Sequence, residues 1–399
     1  MGTAMTDLYW DPLTPELRSD PYPLWKRLRD EAPVYFNDRY DFWALSRYPD
    51  IEAAHRDHAT FSSNHGTTLE TMSPGPVDTG MIIWLDPPKH TILRKLVSRV
   101  FTTRRVAILE DRIRLVCGQL LDAQIGAGRF DYVQDFSAVL PPTVISYLLG
   151  VPEQDQEQLR HVVDEVFHIE EGVGMANEVS MNALASLGGY LAEQFAERRK
   201  DPRDDVFTDL VEAEITDEHG DIRQLTDEEL AGFGILLFSA GTETVARHLG
   251  WAASVLDSYP DQRSDLAVDF SLIPNAVEEI LRFEPPSPVN ARWTNRDVNL
   301  HGVTIPAQSR VILITGSAGR DERKYSNPDV LDVRRKVDLH LTFGYGIHFC
   351  LGAALARMES RIGLEETFKR WPKWTVDRDN AVLLYTSTVR GPLNLPVDV

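Results

Sequence analysis

Cysteines are few in this chain, and long apolar runs are missing from it. The sequence of 399 residues contains two cysteines, Cys117 and Cys350, which cannot build a disulfide framework and suit a reducing compartment. No stretch approaches the roughly 18–20 apolar residues that cross a bilayer. The first residues lack the basic and then apolar segments of a secretory signal. These absences argue against a disulfide-stabilised or membrane-spanning protein, and they predict a soluble, cytoplasmic one without a membrane anchor.

Positive charge is also scarce. The sequence has 41 lysines and arginines against 61 aspartates and glutamates, which gives a formal net charge of −20. Such a protein would repel nucleic-acid phosphates, so no nucleic-acid partner is expected. One basic group stands out against this background, and it comprises Lys89, Arg94, Lys95, Arg99, Arg104 and Arg105.

Periodicity and chain breakers predict a mainly helical chain with a minor β part. The helical pattern runs from Pro88 to about Arg282 and is interrupted by glycines and prolines. No repeat or low-complexity linker divides the sequence, so residues 1–399 are expected to form a single domain. Short strands are predicted at 33–36, 42–46, 300–305, 310–315, 374–376 and 382–385.

One long helix is expected to cross the interior. Thr226 and Glu229 have the spacing of a capping box, and helical character continues to about Ser258, a length of roughly 45 Å. The apolar middle is followed by Ala240-Gly241-Thr242-Glu243-Thr244. Glycine inside a helix costs about 1 kcal/mol relative to alanine, and threonine can bond back to the preceding turn and bend the helix. A local widening with room for oxygen and water is therefore expected here.

The glycine-punctuated loop before Cys350 is the most informative segment. In Phe343-Gly344-Tyr345-Gly346 the glycines let the backbone approach a flat ligand closely. A helix that begins at about Leu351 would direct free N–H groups and its positive dipole end at the sulfur, which favours a thiolate. Gly352 leaves room beside the sulfur. Cys350 is therefore a candidate haem ligand, whereas Cys117 lies in an apolar helical pattern and is expected in the core.

This loop resembles, position for position, the haem-binding loop of the cytochrome P450 family, Phe-Gly-x-Gly-x-x-x-Cys-x-Gly. The resemblance implies a triangular, helix-rich fold, a haem b cofactor with Cys350 as the axial iron ligand, and O2 as co-substrate. It extends over almost the whole chain, although Gly319-Arg320-Asp321-Glu322-Arg323 departs from the family's usual Asn-Arg-Asp-Pro. The matching loop positions are Phe343, Gly344, Gly346, Cys350, Gly352 and Arg357.

Other segments resemble the remaining parts of the family's site. The acid–alcohol pair falls by position on Glu243 and Thr244, where a carboxylate and a hydroxyl in relay would deliver protons. Glu279 and Arg282 match the Glu-x-x-Arg pair that braces the haem loop, and Arg335 matches its third member. Arginine suits the two haem propionates because its planar fork bonds both carboxylate oxygens. The implied propionate partners are His90, Arg94, Arg292 and His340.

The resemblance implies a monooxygenase that inserts one oxygen atom into a small, largely apolar organic substrate. No flavin or nicotinamide domain and no spare cysteines for an iron–sulfur cluster are visible, so electrons are expected from a ferredoxin and a ferredoxin reductase. By the resemblance, the ferredoxin would dock on the thiolate side, on the members of the basic group other than Arg94, namely Lys89, Lys95, Arg99, Arg104 and Arg105.

Two alternatives remain open. A haem-thiolate peroxygenase would have less need of the Glu243–Thr244 relay, and a non-enzymatic haem sensor or carrier would leave that relay idle.

The substrate itself is not specified by the sequence. Pocket candidates come from four segments of mixed apolar and hydroxyl character, 67–83, 235–240, 289–290 and 385–387. The residues singled out are Ile235, Ser239, Ala240, Val289, Asn290 and Thr386.

Overall fold

Helices are the main element of the chain, as the periodicity predicts. The computed structural model describes residues 8–12, 14, 20–77, 79–100, 103–168, 170, 176–386 and 388–399. The helices are α1 (Tyr22–Glu31), α2 (Tyr48–Arg56), α3 (Lys89–Val100), α4 (Thr103–Asp122), α5 (Leu140–Leu149), α6 (Glu153–Val166), α7 (Glu178–Lys200), α8 (Val206–Glu212), α9 (Asp227–Ser258), α10 (Pro260–Val268), α11 (Ile273–Phe283), α12 (Thr315–Gly319) and α13 (Ala353–Arg370).

The strands are short and form small sheets. The largest sheet has the order β1-β2-β10-β7-β3, in which β10 runs parallel to β2 and antiparallel to β7. This register sets Arg292 beside Val311. The strands are β1 (Val34–Asn37), β2 (Phe42–Leu45), β3 (Phe61–Ser62), β4 (Arg129–Asp131), β5 (Glu214–Thr216), β6 (Ile222–Gln224), β7 (Asn290–Thr294), β8 (Val298–Leu300), β9 (Val303–Ile305), β10 (Arg310–Leu313), β11 (Thr375–Val376), β12 (Val382–Tyr385), β13 (Arg390–Asn394) and β14 (Pro396–Asp398).

The strand expected over 300–305 is instead a tight hairpin of β8 and β9. Leu300 pairs with Val303 across the turn. The two residues between them, His301 and Gly302, have φ values of +51° and +79°. Two left-handed residues in succession reverse the chain within a two-residue loop, so the apolar run is divided between two strands.

Helix α9 begins and ends as the sequence predicts. The Glu229 amide donates to Thr226 Oγ1 at 3.2 Å, and the Thr226 amide donates to Glu229 Oε2 at 2.9 Å, which completes the capping box. The expected widening is not seen, because the helix stays α-helical through 240–244. The hydroxyls of Thr242 and Thr244 donate to Phe238 O (2.9 Å) and Ala240 O (3.0 Å), so they bond back to the preceding turn without breaking the helix.

Helix α9 also contributes to both of the large hydrophobic clusters. The first cluster includes Leu249 and Cys117 and combines α9 with α4, α11 and α13. The second includes Phe233 and Phe238 and combines α9 with α6, α7 and α8. Cys117 is fully buried, as expected, and this burial raises the pKa of its thiol. Within the described ranges, no helix has the length and apolar character needed to cross a membrane.

Candidate active site

The loop that carries Cys350 lies just before α13. Gly344 and Gly346 have φ values of +68° and +70°, and a Cβ on Gly346 would lie 2.5 Å from the His55 carbonyl oxygen. A side chain at Gly346 would therefore force the loop away from α2. The Cys350 amide donates to Phe343 O at 2.8 Å and closes the loop. Helix α13 starts slightly later than the expected onset at Leu351, with Gly352 as its N-cap residue.

The surroundings of Cys350 are positive. Burial raises the pKa of its thiol, while the Gly352 N–H and the charges of Arg94 and Arg357 act in the opposite direction. A coordinated metal ion would deprotonate the thiol outright. A Cβ on Gly352 would meet no atom within 4 Å, so space for a ligand lies next to the sulfur. The site therefore suits a sulfur that is held as a thiolate by a metal.

A group of buried imidazoles and arginines lies beside this loop. Both ring nitrogens of His55 and His90, and Nε2 of His348, have no hydrogen-bond partner in the described part of the chain. The rings of His90 and His348 are 4.4 Å apart. Arg292, 5% exposed, reaches the cluster from β7 and donates to Ala291 O at 2.8 Å.

Burial dominates the electrostatics of this cluster. It lowers the pKa of His90 to about 4, and together with the charge of Arg292 it lowers the pKa of His55 to about 3 and that of His348 to about 2. Burial also lowers the pKa of Arg292 to about 10. Buried donors that lack partners are costly. Carboxylates of a bound ligand would satisfy them, so the cluster fits a dianionic group.

His340, one of the four expected propionate partners, does not join this cluster. Its Nε2 lies 3.1 Å from Glu278 Oε2, and its Nδ1 accepts from the Thr342 amide at 3.3 Å. Both ring nitrogens are thus already engaged. His348 contributes the imidazole instead, from the 3₁₀ turn Gly346–His348 within the cysteine loop. The sequence did offer a signal for His348, since this residue lies inside the motif that contains Cys350.

Glu243 and Thr244 are neighbours on α9, but their side chains have different partners. The Glu243 carboxylate forms a bidentate pair with Arg247, with Nε–Oε2 at 2.8 Å and Nη2–Oε1 at 3.0 Å. Arg247 also donates to Pro392 O in β13. Sequence reasoning missed Arg247, although its i, i+4 spacing from Glu243 is the usual signal for such a pair.

The network of Glu279, Arg282 and Arg335 is assembled as expected. Arg282 binds Glu279 through two contacts of 2.7 and 2.8 Å, and both side chains are fully buried. Arg335 Nε donates to Glu279 Oε1 at 3.0 Å. Arg282 Nη1 also donates to the carbonyls of Gly319 (2.5 Å) and Pro328 (2.9 Å). The network therefore ties α11 to the segment that leads into the cysteine loop.

Comparison with known proteins identifies the architecture. The family model for cytochrome P450 matches residues 34–388. The chain belongs to the cytochrome P450 family. It is 41% identical to the erythromycin C-12 hydroxylase of Saccharopolyspora erythraea over 93% of this chain and 92% of the hydroxylase. It is 38% identical to cytochrome P450 130 of Mycobacterium tuberculosis over 97% and 96%. The solved structure of cytochrome P450 CYP109Q5 from Chondromyces apiculatus matches with a TM-score of 0.88, at 32% identity, over 98% and 97% of the two chains.

Membership of this family confirms the fold class and the class of enzyme. The relatives include named hydroxylases and monooxygenases, so the chain is a cytochrome P450 monooxygenase, an oxidoreductase that uses haem iron and O2. The residues described above fit a haem group: a half-buried cysteine with open space beside it, and a separate cluster of arginines and imidazoles with unpartnered ring nitrogens suited to two propionates.

The pocket candidates on α9 of this P450 lie on a face with incomplete burial. Leu236, Ala240 and Thr244, spaced four residues apart, are half-buried or exposed, while Phe238 and Thr242 between them are buried. Ile235 and Ser239 are half-buried, and Ser239 Oγ has no partner among the described residues.

The remaining pocket candidates lie near one another at the start of β7 and the end of β12. Thr388 Oγ1 donates to Val289 O at 3.2 Å, which joins the two segments. Val289 is buried and Asn290 is half-buried. The Thr386 hydroxyl accepts from the Val389 amide at 2.7 Å, so it holds a turn. Ser387 lies outside the described residues.

The basic group is only partly on one surface. Arg94 Nη2 donates to Phe349 O at 2.5 Å, which places α3 against the cysteine loop. On that helix Lys95 is exposed and Lys89 is half-buried. Arg105 pairs with Asp209 of α8. The side chains of Arg99 and Arg104 lie outside the described residues.

Proposed function

We propose that this cytochrome P450 uses haem b to insert one oxygen atom from O2 into a small, largely apolar organic molecule. The observation that carries the proposal is the Cys350 loop, in which a half-buried cysteine has open space beside it at Gly352 and lies near a separate cluster of arginines and imidazoles. The hydroxylase relatives support the reaction class. When bound, haem supplies the activation of O2 at its iron.

The chain's own residues would hold this group from two sides. Cys350 would supply the axial thiolate, and Gly352 would leave the space beside it. Arg94 and Arg292 would bind the propionates, because guanidinium groups pair with carboxylates in a fixed geometry. His90 and His348 would add imidazole donors that have no other partner in the described residues.

Proton delivery would use the acid–alcohol pair. The Thr244 hydroxyl is half-buried on the less buried face of α9, where a substrate and oxygen would lie. The Glu243 carboxylate is held by Arg247, so a relay would need water or a side-chain movement to join it to Thr244. We assign the proton-delivery role to these two residues.

The substrate class is supported by the apolar pocket candidates and by related structures. Solved relatives at 31–38% identity are complexes with erythromycin B, corticosterone or testosterone, so related enzymes bind organic molecules. In this chain Ile235 and Ala240 give the corresponding face of α9 an apolar character, and Ser239 and Asn290 add polar groups.

Electrons would come from a ferredoxin and a ferredoxin reductase in the cytoplasm. The basic residues of α3 support the docking of an acidic partner, since this helix contacts the cysteine loop and carries the exposed Lys95. We also propose that residues 1–399 form one domain, because α9 contributes to both large hydrophobic clusters.

The test combines binding and turnover. Spectral titration of the purified protein against a diverse library of apolar molecules identifies a binder, which is then supplied with isotopically labelled O2, a ferredoxin, its reductase and reductant. One labelled oxygen atom in the product is the expected result. Product formed with peroxide but not with the reducing system would instead indicate a peroxygenase. Binding without product under either condition would indicate a sensor or carrier.

A further inference from the structure

Glu278, the residue before the buried Glu279, holds a second set of contacts on α11. Arg357 Nε donates to Glu278 Oε1 at 2.6 Å, and Arg357 Nη2 donates to Glu278 Oε2 at 2.9 Å. His340 Nε2 lies 3.1 Å from the same Oε2. One carboxylate therefore binds a residue that precedes the cysteine loop and a residue on the helix that follows it.

The hydrogen bonds fix the tautomer of His340. Its Nδ1 accepts from the Thr342 amide at 3.3 Å, so the proton of the neutral ring must lie on Nε2, where it is donated to Glu278. The Thr342 hydroxyl also donates to Leu281 O at 2.8 Å. The start of the loop is thus attached to α11 at two points, through the imidazole of His340 and through the hydroxyl of Thr342.

Arg357 connects Glu278 to the surroundings of the sulfur. Its guanidinium carbon lies 4.4 Å from the centre of the Phe343 ring, and the Phe343 carbonyl accepts the Cys350 amide. The charge of Arg357 also acts on the Cys350 thiol. A cation that acts on a thiolate weakens its electron donation unless an anion offsets it. Glu278 is that anion.

We propose that Glu278 is a positioning residue for the thiolate ligand. It keeps Arg357 stacked on Phe343, and it offsets the positive charge of Arg357 beside Cys350. The role is separate from that of the Glu279–Arg282–Arg335 network, which fixes α11 to residues 319–335 and makes no contact with Arg357 among the described residues. The inference rests on Cys350 as the haem ligand, as proposed above.

The experiment compares the reduction potential of the haem iron in four variants. Glu278→Gln leaves Arg357 without its anion, so the added positive charge should favour the reduced iron and raise the potential. Arg357→Gln removes the cation while Glu278 remains, so the potential should fall. The double variant should return close to wild type. Arg361→Gln is the matched control, because Arg361 lies one turn further along α13 and pairs with Glu365 and Glu110 instead; its potential should not change.

A second measurement follows the loss of the thiolate form. The red-shifted Soret band of the reduced carbon-monoxide complex should decay several-fold faster in Glu278→Gln than in wild type or in Arg361→Gln. If Glu278→Gln fails to retain haem, the double variant should recover it, since the unpaired cation is then gone.

The outcomes separate this inference from the proposed function. Shifts of the potential in the same direction for both single variants, or shifts no larger than that of Arg361→Gln, would overturn the charge-offset role. A double variant no better than Glu278→Gln would overturn it as well. If wild type itself lacks the red-shifted band, the proposed function fails, and the inference fails with it.

Discussion

The two cysteines have opposite surroundings. Cys117 is fully buried among apolar neighbours of the first cluster, whereas Cys350 lies beside the N-terminus of α13, Arg94 and Arg357. A thiolate is stabilised by positive surroundings and destabilised by apolar burial. The chemical role therefore follows from environment, since the two side chains are identical.

We predict that Cys350→Ala abolishes the red-shifted Soret band of the reduced carbon-monoxide complex. The alanine removes the thiolate that produces the band, and the cluster around Arg292 can still retain some haem. Cys117→Ala should keep the band, because that thiol is confined to the core. Absorption spectra of the two variants under reducing conditions decide this. Loss of the band in Cys117→Ala alone would show that the ligand is misassigned.

Glu359 on α13 is a buried acid near Cys117, the cysteine of the core. It is 2% exposed and takes part in none of the ion pairs of the described residues. Burial raises its pKa well above the ordinary value of 4.5. The folded state thus holds a proton that the unfolded state releases, so the contribution of Glu359 to stability is most favourable below about pH 4.5 and declines as the pH rises towards the folded pKa.

We predict that Glu359→Gln becomes progressively more stable than wild type as the pH rises above 4.5. Glutamine resembles the neutral acid, so the two proteins should match at lower pH. The difference should then grow by up to about 1.4 kcal/mol per pH unit until the folded pKa is reached. Denaturant unfolding of both proteins over a pH series measures it. A difference that does not change with pH would contradict the prediction.

His340 and His348 show which site residues could be predicted from the sequence and which could not. The motif located Cys350 and its glycines, because their roles depend on local backbone geometry. It did not distinguish His340 from His348, which lie close together in the chain. The distinction depends on Glu278, a residue remote in sequence that is brought to His340 by the packing of α11.

At the scale of elements, local signals predicted best where local interactions decide the structure. The capping box at Thr226 and Glu229 fixed the start of α9. The division of 300–305 into β8 and β9 was missed, because the left-handed conformation of His301 is not evident from its residue type. The expected widening of α9 was wrong for a related reason: threonine can bond to a carbonyl without disturbing the helical hydrogen bonds.

We predict that Thr244→Ala retains haem and substrate binding but diverts reducing equivalents to peroxide. The hydroxyl on the less buried face of α9 would be missing, so protons would no longer reach the reacting oxygen in the right order. The ratio of product to consumed reductant, with peroxide measured in parallel, tests this. Thr242→Ala is the matched control, because that hydroxyl is buried and bonded to Phe238 O. Equal coupling in Thr244→Ala and wild type would refute the relay role.

At the scale of the whole molecule, the net charge affects how readily an acidic partner protein can approach. The net charge of −20 repels an acidic protein at long range, so a local basic surface matters for encounter. Composition revealed the surplus of acid and the basic group within it. It could not reveal that Arg105 is already paired with Asp209, because that contact joins α4 to α8.

We predict that Lys95→Glu slows reduction by an acidic ferredoxin at low salt and leaves substrate affinity unchanged. Lys95 is exposed on the helix that contacts the cysteine loop, and exposed charges mainly alter association rates. The effect should fade as ionic strength rises. Stopped-flow reduction at several salt concentrations measures it, with Arg105→Glu as the control. Equal effects of Lys95→Glu and Arg105→Glu would rule out α3 as the docking surface. Charge reversal at Arg99 or Arg104 is expected to slow reduction in the same way as Lys95→Glu.

The division of α9 between two clusters has a consequence for how such an enzyme can diversify. Helices α6 and α7 contribute Leu159, Val163, Leu187, Leu191 and Phe195 to the second cluster, whereas Cys350 packs against the first. Exchanges of these side chains would therefore alter the second cluster, which meets the cysteine loop at Leu351, before they alter the packing of Cys350 itself. A new substrate preference can arise in one half of the molecule while the other half, with its costly buried charges, is inherited intact.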